Sequence, residues 1–160
     1  LISPEAAGIS GPHPVLKKVA TIEDECAYAA KCVKRWLDSG EKATDIAIIY
    51  LNWEHASQLS PLLTKAGVDH LWLKDKTAKA SFAKDSQKVT ILTAHSSKGL
   101  EFKKVILLGI GHLKDSEEEQ IGHTKLIYVG MTRAKRDLLM LHSNSNTFTR
   151  KLHAASKHPA

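Results

Sequence analysis

The chain has 160 residues, enough for one domain with a real core, and apolar and charged fractions of 42% and 25% are those of an ordinary globular protein rather than a disordered or fibrous one. No apolar run approaches the length of a membrane span, and the first fourteen residues, LISPEAAGISGPHP, lack the charged and apolar regions of a signal peptide. A formal net charge of +6 favours an anionic partner such as nucleic acid or nucleotide, although mildly basic domains are common.

Residues 1–14 are rich in Gly and Pro, show no periodicity and lack an initiator Met; they read as a linker from an upstream domain. Residues 15–160 read as a single domain with no large accessory insertion. Residues 15–21 are expected to form a short strand. From 23 to 39, Cys26, Ala29, Ala30, Val33, Trp36 and Leu37 recur on one helical face, with Thr21 as the cap, Asp24 and Glu25 in the first turn to suit the helix dipole, and Gly40 as the stop. Cys26 and Cys32 share this helix at a spacing that suits neither a disulfide nor a zinc knuckle, so they read as reduced packing residues of a cytoplasmic protein. The His residues do not fall at ligand spacing, and no metal site is expected.

Residues 45–50 form a continuous apolar strand, 54–66 a helix that closes at Gly67, and 70–73 a short strand. Residues 74–88 are basic and polar and read as loop. A strand at 89–92 leads into the polar hinge TAHSSKGLEF, followed by a strand at 104–108. Glu117, Glu118 and Glu119 open a helix that runs to about residue 134, a strand follows at 137–142, and a short helix at 149–155 ends the pattern. Strands alternate with helices and are apolar throughout, which predicts an α/β fold with a parallel sheet covered on both faces. Ligands of such sheets collect beyond the carboxyl ends of the strands, where both Tyr50 and the hinge begin.

A phosphate-binding loop of the form Gly-x-x-x-x-Gly-Lys-Ser/Thr is not present: Lys98-Gly99 is in the wrong order, and Gly109-Ile110-Gly111 lacks the third glycine of a dinucleotide fingerprint. The chain alone therefore offers no place to hold a triphosphate and its metal. In the hinge, Thr93, His95, Ser96 and Ser97 are neutral donors able to hold phosphate oxygens, Gly99 allows close backbone approach, and Glu101 can accept from sugar hydroxyls. A strand end capped by hydroxyls, with Glu101 merely solvated, fits the same residues equally well. In LIYVGMTRAKRDLLML, Leu126, Ile127, Val129 and Gly130 make a helix face that packs on the sheet. Arg133 arrives at the end of that helix with a fork that suits a phosphate; complementing the helix C-terminus is an equal alternative for it and the favoured one for Lys135 and Arg136. Trp53 and Trp72 read as packing residues rather than base-stacking ones.

VTILTAHSSKGLEFKKVILL resembles motif V of superfamily-1 helicases of the UvrD/Rep/PcrA type, and LIYVGMTRAKRDLLML resembles their motif VI. IAIIYLNWEHASQLSPLLTKAGV is more loosely similar to their motif IV. The three stand in the family's order and cover residues 45–142. The resemblance implies the second RecA-like motor domain of an ATP-dependent DNA helicase or translocase: a P-loop NTPase-type three-layer sandwich with a mostly parallel sheet, lacking its own Walker A loop. ATP with Mg2+ would be held mainly by an N-terminal RecA-like domain of the same full-length chain, and single-stranded DNA would cross the tops of both. By this match Arg133 would be the arginine finger on the γ-phosphate, Glu101 would hold the ribose, Gly99 would lie beside the phosphates and Tyr50 would stack on the adenine. Thr93, His95 and Ser96 would contact the DNA backbone. The fragment is expected to be monomeric, cytoplasmic, independent of membranes and inactive as an ATPase by itself. Three departures qualify the match: Leu51 stands where the family usually has an Arg, Gly122-His123-Thr124-Lys125 replaces a Glu-Glu-Arg-Arg run, and the segment 73–88 is too short for the usual accessory insertion. They leave room for a second expectation, a nucleic-acid-binding or regulatory module whose motor function has decayed.

Overall fold

The computed structural model describes residues 14–74 and 87–157. Most of the expected N-terminal linker and of the basic loop lies outside the described residues. Among those described, six strands form one sheet: β1 (Val15–Lys18), β2 (Ile46–Tyr50), β3 (His70–Trp72), β4 (Val89–Thr93), β5 (Phe102–Leu108) and β6 (Ala134–His142). Their order is β1-β6-β5-β2-β4-β3, and every pairing is parallel. Four helices accompany them: α1 (Ile22–Asp38), α2 (Trp53–Lys65), α3 (Glu117–Met131) and α4 (Thr147–Lys157).

The strands are apolar throughout because both faces are covered. Along β2, Ile46, Ile48 and Tyr50 point to one side, where they meet Cys26, Ala29 and Val33 of α1 and Ala56, Leu59 and Leu63 of α2. Ala47 and Ile49 point to the other, where they share a core with Leu107, Ile127 and Met131 of α3, and Phe148 and Leu152 of α4. The expected three-layer α/β sandwich is thus present, its sheet wholly parallel among the described residues. The local signals act as anticipated. The Thr21 hydroxyl accepts from the Asp24 amide at 3.1 Å to cap α1, and Ile127 and Gly130 bring α3 down on the sheet, where a Cβ at Gly130 would meet Leu107 Cδ1 at 3.0 Å.

Two boundaries shift in ways that matter. α3 stops at Met131 and β6 starts at Ala134, earlier than the expected 137, so Lys135 and Arg136 are strand residues. They do not complement the helix C-terminus: Lys135 Nζ lies 3.5 Å from Glu101 Oε2, and Arg136 Nη2 lies 3.0 Å from Glu41 Oε1. β5 likewise begins at Phe102 rather than 104, which draws the last hinge residue into its pairing with β6.

Candidate nucleotide and nucleic-acid site

The hinge leaves β4 at Thr93 and enters β5 at Phe102, and these two points lie at opposite edges of the sheet. Thr93 is level with Tyr50, and Tyr50 is level with Leu108 at the carboxyl end of β5. Phe102 is level with Ala134 at the amino end. At about 3.3 Å per strand residue, the stretch of β5 between these levels is about 20 Å long. The hinge therefore crosses the face of the sheet that carries α3 and α4, with Ala94 buried and Leu100 packed on the core beneath it.

Its first half is a hydroxyl-pinned turn. The Thr93 hydroxyl accepts from the Ser96 amide and donates to the Ser96 hydroxyl, both at 3.1 Å, while the buried Ser97 hydroxyl donates to the Ala94 carbonyl at 2.6 Å. These bonds satisfy backbone groups that a strand end would leave orphaned. They also occupy part of the donor capacity of Thr93 and Ser96, while His95 stays exposed beside them. The second half is open. Gly99 has φ of +82°, a conformation that L side chains rarely adopt, and a Cβ there would meet nothing within 4 Å. The glycine is needed for the turn, and it leaves bare backbone facing outward. Glu101 is exposed and paired only loosely with Lys135.

Arg133 joins this group from the turn between α3 and β6. Its Nε donates to the Val129 carbonyl at 3.1 Å and its Nη2 to the Thr132 hydroxyl at 3.2 Å. Nη1 reaches the hinge itself, donating to the carbonyls of Ser97 at 3.4 Å and Leu100 at 3.5 Å. The Arg133 carbonyl in turn accepts from the Phe102 amide at 2.9 Å. All four acceptors of the half-buried guanidinium are neutral oxygens, so its charge is solvated without being neutralised. A cation held in that way retains its attraction for an anion and a fork able to grip two oxygens.

The structure thus brings Arg133, Gly99 and Glu101 together at the amino edge of β5 and β6, with Thr93, His95 and Ser96 farther along the same crossing segment. It does not bring Tyr50 to them. Tyr50 is 4% exposed, faces α1 and α2 across the sheet, and accepts a hydrogen bond from Trp72 Nε1 at 3.1 Å. The exposed ring at that strand end is Trp53, whose centroid lies 4.8 Å from that of Trp72. Leu51, where an Arg was looked for, packs against the core that contains α3.

Sequence reasoning also missed Glu25. It is fully buried, and it accepts from the Gly109 amide at 3.1 Å and the Ser143 hydroxyl at 2.6 Å and lies 2.8 Å from His55 Nε2. The signal was its place one turn before Ala29 on the apolar face of α1, where a carboxylate cannot be a mere dipole partner. Although the His residues do not fall at ligand spacing along the sequence, the fold gathers His55 and His112 beside Glu25.

Residues 70–145 match the sequence pattern of the UvrD-like helicase C-terminal domain. The chain is 32% identical over 98 residues to the ATP-dependent DNA helicase PcrA of Bacillus subtilis (strain 168), a match that covers 56% of this chain and 12% of that protein. It is 31% identical over 84 residues to the ATP-dependent DNA helicase Rep of Escherichia coli (strain K12), which covers 49% of this chain and 12% of the relative. The chain therefore spans about an eighth of the length of these curated relatives. Its fold superposes with a TM-score of 0.67, at 18% identity, on the crystal structure of the C-terminal domain of a possible DNA helicase from Lactobacillus plantarum WCFS1, over 88% of this chain and 80% of that one. The hinge and the arginine that it clasps lie inside the matched segment, and it is residues 70–145 that carry the likeness to the UvrD-like helicase C-terminal domain.

Proposed function

We propose that this chain is the second motor domain of an ATP-dependent DNA helicase or translocase, working against an N-terminal RecA-like domain of the same full-length protein and on single-stranded DNA. The observation that carries the reading is the direct bonding of Arg133 to the hinge carbonyls of Ser97 and Leu100. A residue suited to an anionic phosphate holds the same segment whose other half carries Thr93, His95 and Ser96. If Arg133 turns toward a phosphate, it must release those carbonyls, and the hinge is free to change its grip on DNA.

The residues fit a nucleotide at one edge. Arg133 offers an unneutralised fork, Gly99 bare backbone and Glu101 an exposed carboxylate for ribose hydroxyls. The nucleotide with Mg2+ supplies the phosphoanhydride whose cleavage drives motion. This chain's part is to orient the phosphates, to counter charge as it redistributes and to pass the change to the hinge. Tyr50 is left out of this set, since its ring is covered on the opposite face. His95 would meet the DNA backbone, with Thr93 and Ser96 shaping the turn that presents it. Among the described residues no helix is long and apolar enough to cross a membrane, and work on DNA suits the cytoplasm.

A second reading, a DNA-binding module whose motor has decayed, is favoured by one observation: Leu51 is packed into the core where a phosphate-binding Arg was expected. Steady-state ATPase of the full-length protein, with and without single-stranded DNA, separates the two. DNA-stimulated turnover that depends on Arg133 supports the motor; DNA binding with no turnover supports the module.

A further inference from the structure

Beyond the carboxyl ends of β2, β5 and β6 lies a buried polar cluster that takes no part in the site described above. Glu25 comes from α1, His55 from the first turn of α2, and His112 from the short 3-10 turn Ile110–His112 that follows β5. Glu25 and His55 are fully buried. A carboxylate that takes hydrogen bonds from Gly109 N and Ser143 Oγ is an acceptor, so the proton between it and His55 sits on Nε2, 2.8 Å away. In the neutral ring, that choice leaves His55 Nδ1 as a lone pair. It is buried and has no hydrogen-bond partner, and the same is true of His112 Nδ1. The two rings stand 5.1 Å apart at 74°. One donor atom each from Glu25, His55 and His112 can be chosen so that all lie within 4.8 Å of one another.

Two orphaned imidazole nitrogens on neighbouring rings call for an occupant, because leaving buried polar atoms unpaired is costly. We infer that His55 and His112, backed by Glu25, form a binding site for a divalent transition metal of the Zn2+ class. The ligand chemistry is right: imidazole nitrogen suits this class, and hard cations such as Mg2+ prefer oxygen alone. The outer arrangement is also right, since a carboxylate on the far nitrogen of a ligating His fixes its tautomer and aims its lone pair. Space beside His55 is kept by Gly109, where a Cβ would sit 3.4 Å from Nδ1. A second His pair, His142 with the half-buried His153, serves as an internal contrast. His142 Nε2 and His153 Nε2 lie 2.7 Å apart and satisfy each other, so they offer no free donor toward one another. A metal between α1, α2 and the loop after β5 would staple segments far apart in sequence, at the edge of the sheet opposite Arg133.

The test uses the untagged chain, stripped with a chelator and titrated with Zn2+ by calorimetry and thermal melting, with Co2+ absorption as a report on the ligands. One equivalent of Zn2+ should bind and raise the melting temperature by mass action. Visible Co2+ bands should carry a nitrogen and oxygen signature with no thiolate charge transfer. His112→Ala should abolish both effects, Glu25→Gln should weaken binding about ten- to a hundredfold, and His153→Ala should leave binding unchanged. If His112→Ala does not fold, the wild-type Co2+ spectrum and His112→Gln carry the decision. No binding at high-micromolar metal overturns the proposal, as does binding that survives the His112 variants or that disappears with His153→Ala.

Discussion

Arg133→Ala in the full-length protein is the perturbation that most directly examines the proposed coupling. Two losses are expected, one from the geometry and one from the proposed role. The first is structural. Of its four hydrogen bonds, those to Val129 and Thr132, at 3.1 and 3.2 Å, are well formed, and those to Ser97 and Leu100, at 3.4 and 3.5 Å, are long. Counting mainly the two short bonds, and allowing water to replace some of them on a half-exposed side chain, removal should cost about 1–3 kcal/mol of stability. The second is catalytic. Cations placed on a transferring phosphoryl group are worth roughly three to five orders of magnitude in related enzymes, and Leu51 offers no substitute in this chain. The expected outcome is a fall in DNA-stimulated ATPase far beyond tenfold, with a folded protein by thermal melt and DNA binding largely kept. Arg133→Lys should recover little turnover, because a point charge cannot span two phosphate oxygens and cannot hold Ser97 and Leu100 together. Leu51→Arg should change activity far less. If Arg133→Ala keeps more than about a tenth of wild-type turnover, the loss is under 1.4 kcal/mol; Arg133 is then a hinge clasp alone, and the finger role is wrong.

Gly111→Ala should destabilise the domain by about 3 kcal/mol or more, because its Cβ would fall on the Asn144 backbone carbonyl; the paired change Gly122→Ala, in an open position on α3, should instead add about 0.5–1 kcal/mol, and equal melts for the two would refute this. Burial holds the His142 imidazole below its ordinary value, aided by His153 and Lys18 and opposed by the Asn144 carbonyl and Glu25. The unfolded chain therefore takes up that proton first as pH drops below about 6.5, so stability should fall on acidification from there, and His142→Asn should flatten the melting-temperature profile between neutral and mildly acidic pH. The isolated chain should show no ATPase turnover proportional to its concentration. It should bind single-stranded DNA weakly and with a shallow salt dependence, since few phosphates are neutralised; tight, sequence-selective binding would favour the module reading.

How much of this was legible beforehand depends on whether the physics is local. The alternation of apolar strands with helices of 3.6-residue period, the Thr21 cap and the polar hinge between two apolar runs are all written in neighbouring residues, and each appears in the structure where it was expected. The resemblance of the hinge and the Arg133 segment to two helicase motifs rests on residue identity, which folding does not alter. Which residues face one another does not follow from such signals. The order β1-β6-β5-β2-β4-β3 sends the hinge across β2 from one edge of the sheet to the other, and that crossing separates Tyr50 from Arg133. The family resemblance groups Tyr50 with the nucleotide residues; alternation along β2 turns its ring toward α1 and α2. Lys135 and Arg136 changed role when β6 began at Ala134, three residues before the expected 137, since pairing with β5 extends a strand past the point where its side chains are apolar. Glu25, His55 and His112 looked unrelated at spacings of 30 and more residues. They meet only because the carboxyl ends of parallel strands all open on one edge, where the start of α1, the start of α2 and the turn after β5 must crowd together, and where a buried carboxylate has to find its donors.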